Sequence, residues 1–291
     1  MSESEMNTSM TINVAAIQMV SGNDVDHNMQ RAKHLVKNAA QQGAEVVLLP
    51  ENFAVFNAQA LYEWGEKERN QVLSQPLSQW AESLGIWLVA GSLPQRNRYP
   101  LENEGVSDKR VRTSSLVFNP QGEQVARYDK IHLFDVDVDD DHGAYRESET
   151  IEPGEQPTLV EIASQGGIAL KLGLSICYDV RFPELYRLLV GQGAEVLTVP
   201  AAFTWETGRA HWEPLLRARA IENQCFIIAA NQGGQHTKTR QTWGHSMIID
   251  PWGKVLASLD DGEGVVVATI DLQQQRKLRQ QMPVLKHRVV Y

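Results

Sequence analysis

The chain is 291 residues long, the length of one large domain or two small ones, and 42% of it is hydrophobic, enough for a sizeable core. Its 36 acidic and 27 basic side chains leave a formal charge of −9, which argues against nucleic acid or an anionic membrane surface as the main partner. Two cysteines, Cys177 and Cys225, exclude a disulfide scaffold and a cysteine-rich zinc site, and no apolar run reaches the roughly eighteen residues of a spanning helix.

Residues 1–10 are polar, lack a charged segment leading into an apolar one, and read as a frayed tail on a cytoplasmic protein. Residues 12–19 are rich in β-formers. Met29, Ala32, Leu35, Val36, Ala39 and Ala40 then recur at helical spacing until Gly43, a helix stop. A short buried strand follows at 46–49, a helix at 75–84 and a strand at 87–90. Residues 115–118 and 124–128 form a hairpin around Asn119-Pro120-Gln121-Gly122. The second half repeats the order: a strand at 172–176, then a helix opened by Pro183 that carries Leu185, Leu188 and Leu189. A strand at 196–199 leads to a helix at 211–222 with Trp212, Leu215 and Leu216 on one face. A strand at 226–230 and a turn at Asp250-Pro251-Trp252-Gly253 close the pattern.

Residues 43–53 and 193–203 are identical at six of eleven positions, and the turn at Asn119 answers the turn at Asp250. Two matches in the same order point to an internal duplication. Two similar α/β halves, each with one face under helices, bury their other sheet faces against each other. The expected architecture is therefore a four-layer αββα sandwich forming a single domain over residues 11–291.

Ligands of open α/β sheets sit beyond the carboxyl ends of strands, and three reactive side chains fall there: Glu51, Lys130 and Cys177. Cys177 ends an apolar strand and meets the polar run Tyr178-Asp179-Val180-Arg181. The helix opened by Pro183 is expected to favour a thiolate, with the Tyr178 N–H as an oxyanion donor. Cys225, inside Gln224-Cys225-Phe226-Ile227-Ile228, reads as an inert core cysteine. His211, His236 and His245 lack zinc spacing, and Gly233-Gly234 lacks the context of a dinucleotide loop. Asp139-Asp140-Asp141 is read as a solvated loop, with calcium binding as the other reading. Arg181 is expected to pair with Asp179 or Glu184. Arg209, Lys238 and Arg240 are either surface charge or readers of a substrate carboxylate.

Leu49-Pro50-Glu51-Asn52-Phe53, Asp129-Lys130-Ile131-His132-Leu133-Phe134-Asp135 and Leu174-Ser175-Ile176-Cys177-Tyr178-Asp179 with Arg181-Phe182-Pro183-Glu184 resemble the signatures of the nitrilase superfamily of carbon–nitrogen hydrolases. Ala210-His211-Trp212-Glu213 and Trp243-Gly244-His245-Ser246 resemble its Nit branch of amidases. The resemblance implies a catalytic triad of Glu51, Lys130 and Cys177, a second glutamate at Glu147, and oxyanion stabilisation by Lys130 and Tyr178. Residues 138–142 depart from relatives by lacking Pro-Gly. Phe203, Thr204, Arg209, Lys238 and Arg240 are the expected substrate contacts. The implied reaction is cofactor-free and metal-free hydrolysis of a small 2-oxo acid amide, deaminated glutathione foremost, through a cysteine thioester. It releases ammonia or the deamidated acid. Omega-amides such as 2-oxoglutaramate, N-carbamoyl compounds, and an idle binding scaffold are the alternatives. The resemblance also implies a homodimer that uses residues 279–285.

Overall fold

The structure, a computed structural model, describes residues 10–96, 109–138 and 143–290. Of the expected tail at 1–10 only Met10 is described, and its carbonyl is held by the Leu272 N–H at 3.0 Å; the Asp139-Asp140-Asp141 segment lies outside the described residues. The first half runs β1 (Thr11–Gln18), α1 (Val25–Gln41), β2 (Val46–Leu48), α2 (Leu61–Lys67), α3 (Ser74–Leu84), β3 (Trp87–Val89), β4 (Leu93–Gln95), β5 (Arg112–Phe118) and β6 (Gln124–Asp129). A small hairpin of β7 (Asp135–Asp137) and β8 (Ala144–Arg146) leads out of it. The second half runs β9 (Leu159–Ala163), β10 (Ala169–Leu174), α4 (Pro183–Gly191), β11 (Val196–Ala201), α5 (Trp205–Asn223), β12 (Phe226–Asn231), β13 (Gly233–Gln235), β14 (Gln241–Trp243), β15 (Met247–Ile249) and β16 (Val255–Ser258). The chain closes with β17 (Gly264–Asp271) and α6 (Leu272–Gln281).

Alternation along the strands sorts side chains into layers. Val14 and Ala16 of β1 with Val46 and Leu48 of β2 join the core shared with the second sheet, whereas Ala15, Ile17 and Val47 pack under α1 and α3. The sheets run β17-β1-β2-β3-β5-β4, with β6 also on β5, and β16-β15-β12-β11-β10-β9. In each half three parallel strands, β1-β2-β3 and β10-β11-β12, are flanked by antiparallel ones. This is the expected αββα sandwich.

The duplication extends to individual hydrogen bonds. Gly43 and Gly193 adopt φ of 86° and 105°, and each donates to the carbonyl three residues back, Ala40 or Val190, at 2.9 Å. Glu45 then bonds Asn13 across the parallel pair at 2.8 Å, as Glu195 bonds Lys171 at 3.0 Å. In the two turns, Asn119 Oδ1 accepts from Gln121 and Glu123, and Asp250 Oδ1 from Trp252 and Lys254.

Departures from expectation include three elements. Helix α5 starts at Trp205, six residues early, because the Thr204 side chain caps it through the Thr207 N–H. Its first turns carry little apolar periodicity, so the pattern emerges only at Trp212. Leu188 is 48% exposed, since α4 buries Leu185, Tyr186, Leu189 and Val190 instead. Strand β17 was not anticipated; it returns to the first sheet and pairs with all eight residues of β1. Among the described residues, no helix is long and apolar enough to cross a membrane.

Candidate active site

Glu51 follows β2 through Pro50, and the backbone around it is tightly held. Gly91, at φ 44°, lets a second strand end approach so closely that any Cβ there would overlap the carbonyl oxygens of Pro50 and Leu49. Gln232 Nε2, from the other half, donates to the Glu51 carbonyl at 3.1 Å. Lys130 follows β6; its N–H donates to Thr113 and its carbonyl accepts from Gly154. Cys177 follows β10 at φ 50°, a left-handed conformation costly for a residue with a side chain. The turn it opens is anchored by buried Asp179, which accepts from the Ile176 N–H, the Tyr128 hydroxyl, and both the N–H and the imidazole of His132.

These strand ends converge. Lys130 Nζ lies 2.8 Å from Glu51 Oε1 and 2.9 Å from both carboxylate oxygens of Glu147. Glu147, just past β8, also accepts from the Phe134 N–H at 2.7 Å. The β7–β8 hairpin thus returns a second carboxylate to the lysine. Glu51, Lys130 and Cys177 are all buried. Burial alone would discharge Lys130, but Glu147 and Glu51 reverse that and hold its pKa well above the usual lysine value. Burial raises the Glu147 carboxyl, with Glu51 adding to the rise and Lys130 opposing it.

Burial, reinforced by the charge of Glu51, pushes the Cys177 thiol well above the ordinary cysteine range, against the pull of Lys130 and the Ala202 N–H. The effect of burial and Glu51 runs against the thiolate expected from the helix N-terminus. A 3₁₀ turn, Cys177–Arg181, separates the sulfur from α4, and the nearest charges decide its state.

The three groups face a cavity of about 330 Å³. Its walls include Phe203 and Thr204 at the end of β11, Tyr178 and Arg181 beyond Cys177, Phe134 and Tyr145 near Glu147, and Phe56 and Arg240. Arg209 and Lys238 are exposed and do not line it; Arg209 instead pairs with Glu206 at 3.2 Å. Arg181 forms no ion pair with Asp179 or Glu184, because the Asp179 carboxylate is taken by β6 and its sequel. Its guanidinium meets His211 Nδ1 at 3.3 Å and lies over Phe203 at 5.4 Å and Tyr178 at 5.7 Å. Among the described residues, no group of three or more His, Cys, Asp or Glu side chains is placed to hold a metal ion.

A thiol on a strained turn, sharing a buried cavity with a carboxylate and an ammonium, is the equipment of acyl transfer. The carbon-nitrogen hydrolase family model matches residues 13–280. The chain belongs to the carbon–nitrogen hydrolase family. It is 44% identical over 276 residues to the deaminated glutathione amidase of Yersinia enterocolitica, covering 94% of this chain and 92% of that protein. It is 38% identical over 276 residues to the omega-amidase NIT2 of Danio rerio, covering 94% of each. Among solved structures it resembles Saccharomyces cerevisiae Nit3, a member of branch 10 of the nitrilase superfamily, with a TM-score of 0.80 and 30% identity over 96% of this chain and 97% of that one.

The hydrolase thus acts on amides, and its site contains residues that sequence reasoning passed over. Arg181 sits in the same motif as Cys177, so its place on the wall had a signal; its acidic neighbours in sequence pointed the other way. Phe56, five residues after Glu51, and Tyr145, in β8 two residues before Glu147, carry no nucleophile or full charge that would single them out in the sequence.

Proposed function

We propose that this hydrolase cleaves the γ-linked amide of small 2-oxo acid amides, deaminated glutathione foremost, through a cysteine thioester. The observation that carries the reading is a buried thiol, Cys177, on the same cavity as Glu51 and Lys130, which are held 2.8 Å apart, with an Arg181 guanidinium on the wall that pairs with no carboxylate among the described residues. Deaminated glutathione is glutathione with its glutamyl amine replaced by a ketone. Its acyl half is a 2-oxo acid with a carboxylate for a guanidinium such as Arg181, and its leaving amine is a cysteinylglycine dipeptide.

Charge explains why the thiol stays protonated at rest. Lys130 already faces two carboxylates, and losing the Cys177 proton to water would add a third buried negative charge. Passing that proton to Glu51 leaves the net charge of the site unchanged. Proton transfer therefore accompanies attack: Glu51 takes the proton as Sγ bonds to the carbonyl carbon. The developing oxyanion meets Lys130 and the Tyr178 N–H, each such donor being worth about 3 kcal/mol. As the C–N bond breaks, Glu51 returns the proton to the leaving nitrogen. Glu51 then deprotonates a water that attacks the thioester, and the departing sulfur recovers that proton. Glu147 keeps Lys130 charged and in place. Phe203 and Thr204 border the acyl group.

A second reading, hydrolysis of 2-oxoglutaramate or a similar omega-amide, is favoured by the likeness to the Danio rerio omega-amidase. Both substrates give the same 2-oxoglutaryl thioester and differ only in the leaving amine. Incubation of the purified protein with each amide, and with an N-carbamoyl amine, is expected to yield 2-oxoglutarate from the 2-oxo amides and a transient 2-oxoglutaryl adduct by intact mass. Turnover of the N-carbamoyl compound alone would overturn the reading. The same proposal takes residues 11–291 as one hydrolase domain, assembled as a homodimer. Unpaired cysteines, one of them the nucleophile, suit the reducing cytoplasm.

A further inference from the structure

Among the described residues, three arginines line the cavity. Arg146 is paired with Asp137 at 2.7 Å, but Arg181 and Arg240 have no carboxylate within ion-pair distance among the described residues. In a chain with nine more acidic than basic side chains, two unpaired guanidiniums on one cavity need an explanation. Arg181, four residues beyond the nucleophile, is absorbed by the acyl half of the substrate. Arg240 is not.

Arg240 is held in place from below. Its Cζ lies 4.3 Å from the ring centroid of Phe56, and Phe56 is stacked on the imidazole of His236 with centroids 4.0 Å apart. His236 is fixed at both nitrogens: Nδ1 lies 2.8 Å from the Ser21 carbonyl, which can only accept, so Nε2 accepts from the Thr242 hydroxyl at 2.6 Å. Burial, with a smaller push from Arg240, lowers its pKa to about 4, so the imidazole is neutral at physiological pH. The loop between β13 and β14 is tied as well, by His236 N–H to the Arg240 carbonyl at 2.9 Å and Arg240 N–H to the Thr237 hydroxyl at 3.1 Å. A guanidinium resting on an aromatic ring keeps its in-plane N–H donors free, the geometry that grips a carboxylate in bidentate fashion.

We propose that Arg240, seated on Phe56 and His236, reads a carboxylate on the leaving-amine half of the substrate, so that the site is built for amides of amino acids or short peptides rather than simple amides. The inference rests on the function proposed above and adds a specificity residue to it. Arg240 acts during acylation alone, because the thioester left behind no longer contains the amine half.

The test compares Arg240→Met and Arg240→Lys with the wild-type protein on three substrates: deaminated glutathione, the same molecule with its C-terminal carboxylate capped as an amide, and 2-oxoglutaramate. Arg240→Met is expected to lower kcat/KM for deaminated glutathione by about tenfold, the scale of one charged hydrogen-bonded contact, and Arg240→Lys by less. The loss on 2-oxoglutaramate, whose leaving group carries no carboxylate, is expected to be several-fold smaller. The capped substrate should lose as much with the wild-type protein, and nothing further with the variant. Equal loss on the long and short amides, or a capped substrate as good as the free acid, overturns the role of Arg240 and leaves the amidase reading intact. Turnover of none of the three by the wild-type protein overturns that reading, and the inference with it.

Discussion

Cys177 concentrates the cost of the site in one residue: φ of 50°, burial, and a carboxylate whose charge opposes the loss of the proton that the proposed mechanism requires. Cys177→Ser hardly changes volume and is expected to preserve the thermal midpoint while abolishing turnover, because an alkoxide is far harder to form than a thiolate. Cys225 lies away from the cavity, its sulfur near the Ala194 and Asn223 carbonyls, so Cys225→Ser should retain activity. Equal inactivation of both folded variants would exclude a single nucleophile. Glu51→Gln separates two roles of one carboxylate. Removing its charge takes away a cause that raises the thiol, so the Cys177 pKa should fall, seen as thiolate absorbance or faster alkylation at lower pH. Turnover should nonetheless drop by orders of magnitude, since nothing carries the proton to the leaving amine. A variant that gained both thiolate and turnover would show that Glu51 is not the base.

Elements deliver these residues, and the glycine beside Glu51 shows how little slack they have. Gly91→Ala puts a side chain into the carbonyls of Pro50 and Leu49 at a positive φ, so the Glu51 segment must move. The expected result is a stability loss of more than about 2 kcal/mol in urea with activity lost alongside. Gly191→Ala, at the end of α4 with nothing within 4 Å of the added carbon, should be neutral or stabilising by up to about 1 kcal/mol. Strand ends of this kind were legible in the sequence, because β2 and β11 carry the same Gly-Ala-Glu-Val start and the same proline. Placing Glu51, Lys130 and Cys177 together followed, since each sits within three residues of a strand end. The capped start of α5 was less legible, its only signal being Thr204 ahead of a stretch without apolar rhythm. The wall of the cavity was least legible. Arg181 looked paired because Asp179 is two residues away, yet that carboxylate is spent on Tyr128 and His132, some fifty residues distant in sequence. The seat of Arg240 joins Phe56 to the β13–β14 loop in the same way.

At the scale of the whole molecule, the chain end binds the halves together. Strand β17 supplies the antiparallel neighbour that β1 needs, and α6 behind it docks on the second half: Gln275 donates to the Glu195 and Gln224 carbonyls, and Arg279 to those of Gln224 and Ala194. Within residues 279–285, expected to join subunits, the Arg279 side chain and the Met282 carbonyl are engaged with their own chain, whereas the side chains of Gln280, Gln281 and Met282 are exposed. What else remains for a partner lies further out and on the helical face of the second half. Val289 and Val290 are 87% and 81% exposed, and Leu188 on α4, Ile221 on α5 and Trp252 in the turn before β16 form exposed apolar positions on adjoining elements. Apolar surface of that kind is what subunit association covers. Deleting residues 264–291 is expected to expose the edge of β1 and abolish cooperative unfolding. Deleting residues 287–291 should leave the thermal midpoint within a degree or two while weakening association, because His287, Val289 and Val290 are exposed and Arg288 is only partly buried. Light scattering at micromolar concentration tests this: the full chain should give twice the monomer mass, and the short deletion a lower average mass that rises with concentration. A fully active full-length monomer would refute the dimer, and an unchanged dimer after the short deletion would assign the contact to the α4–α5 face alone.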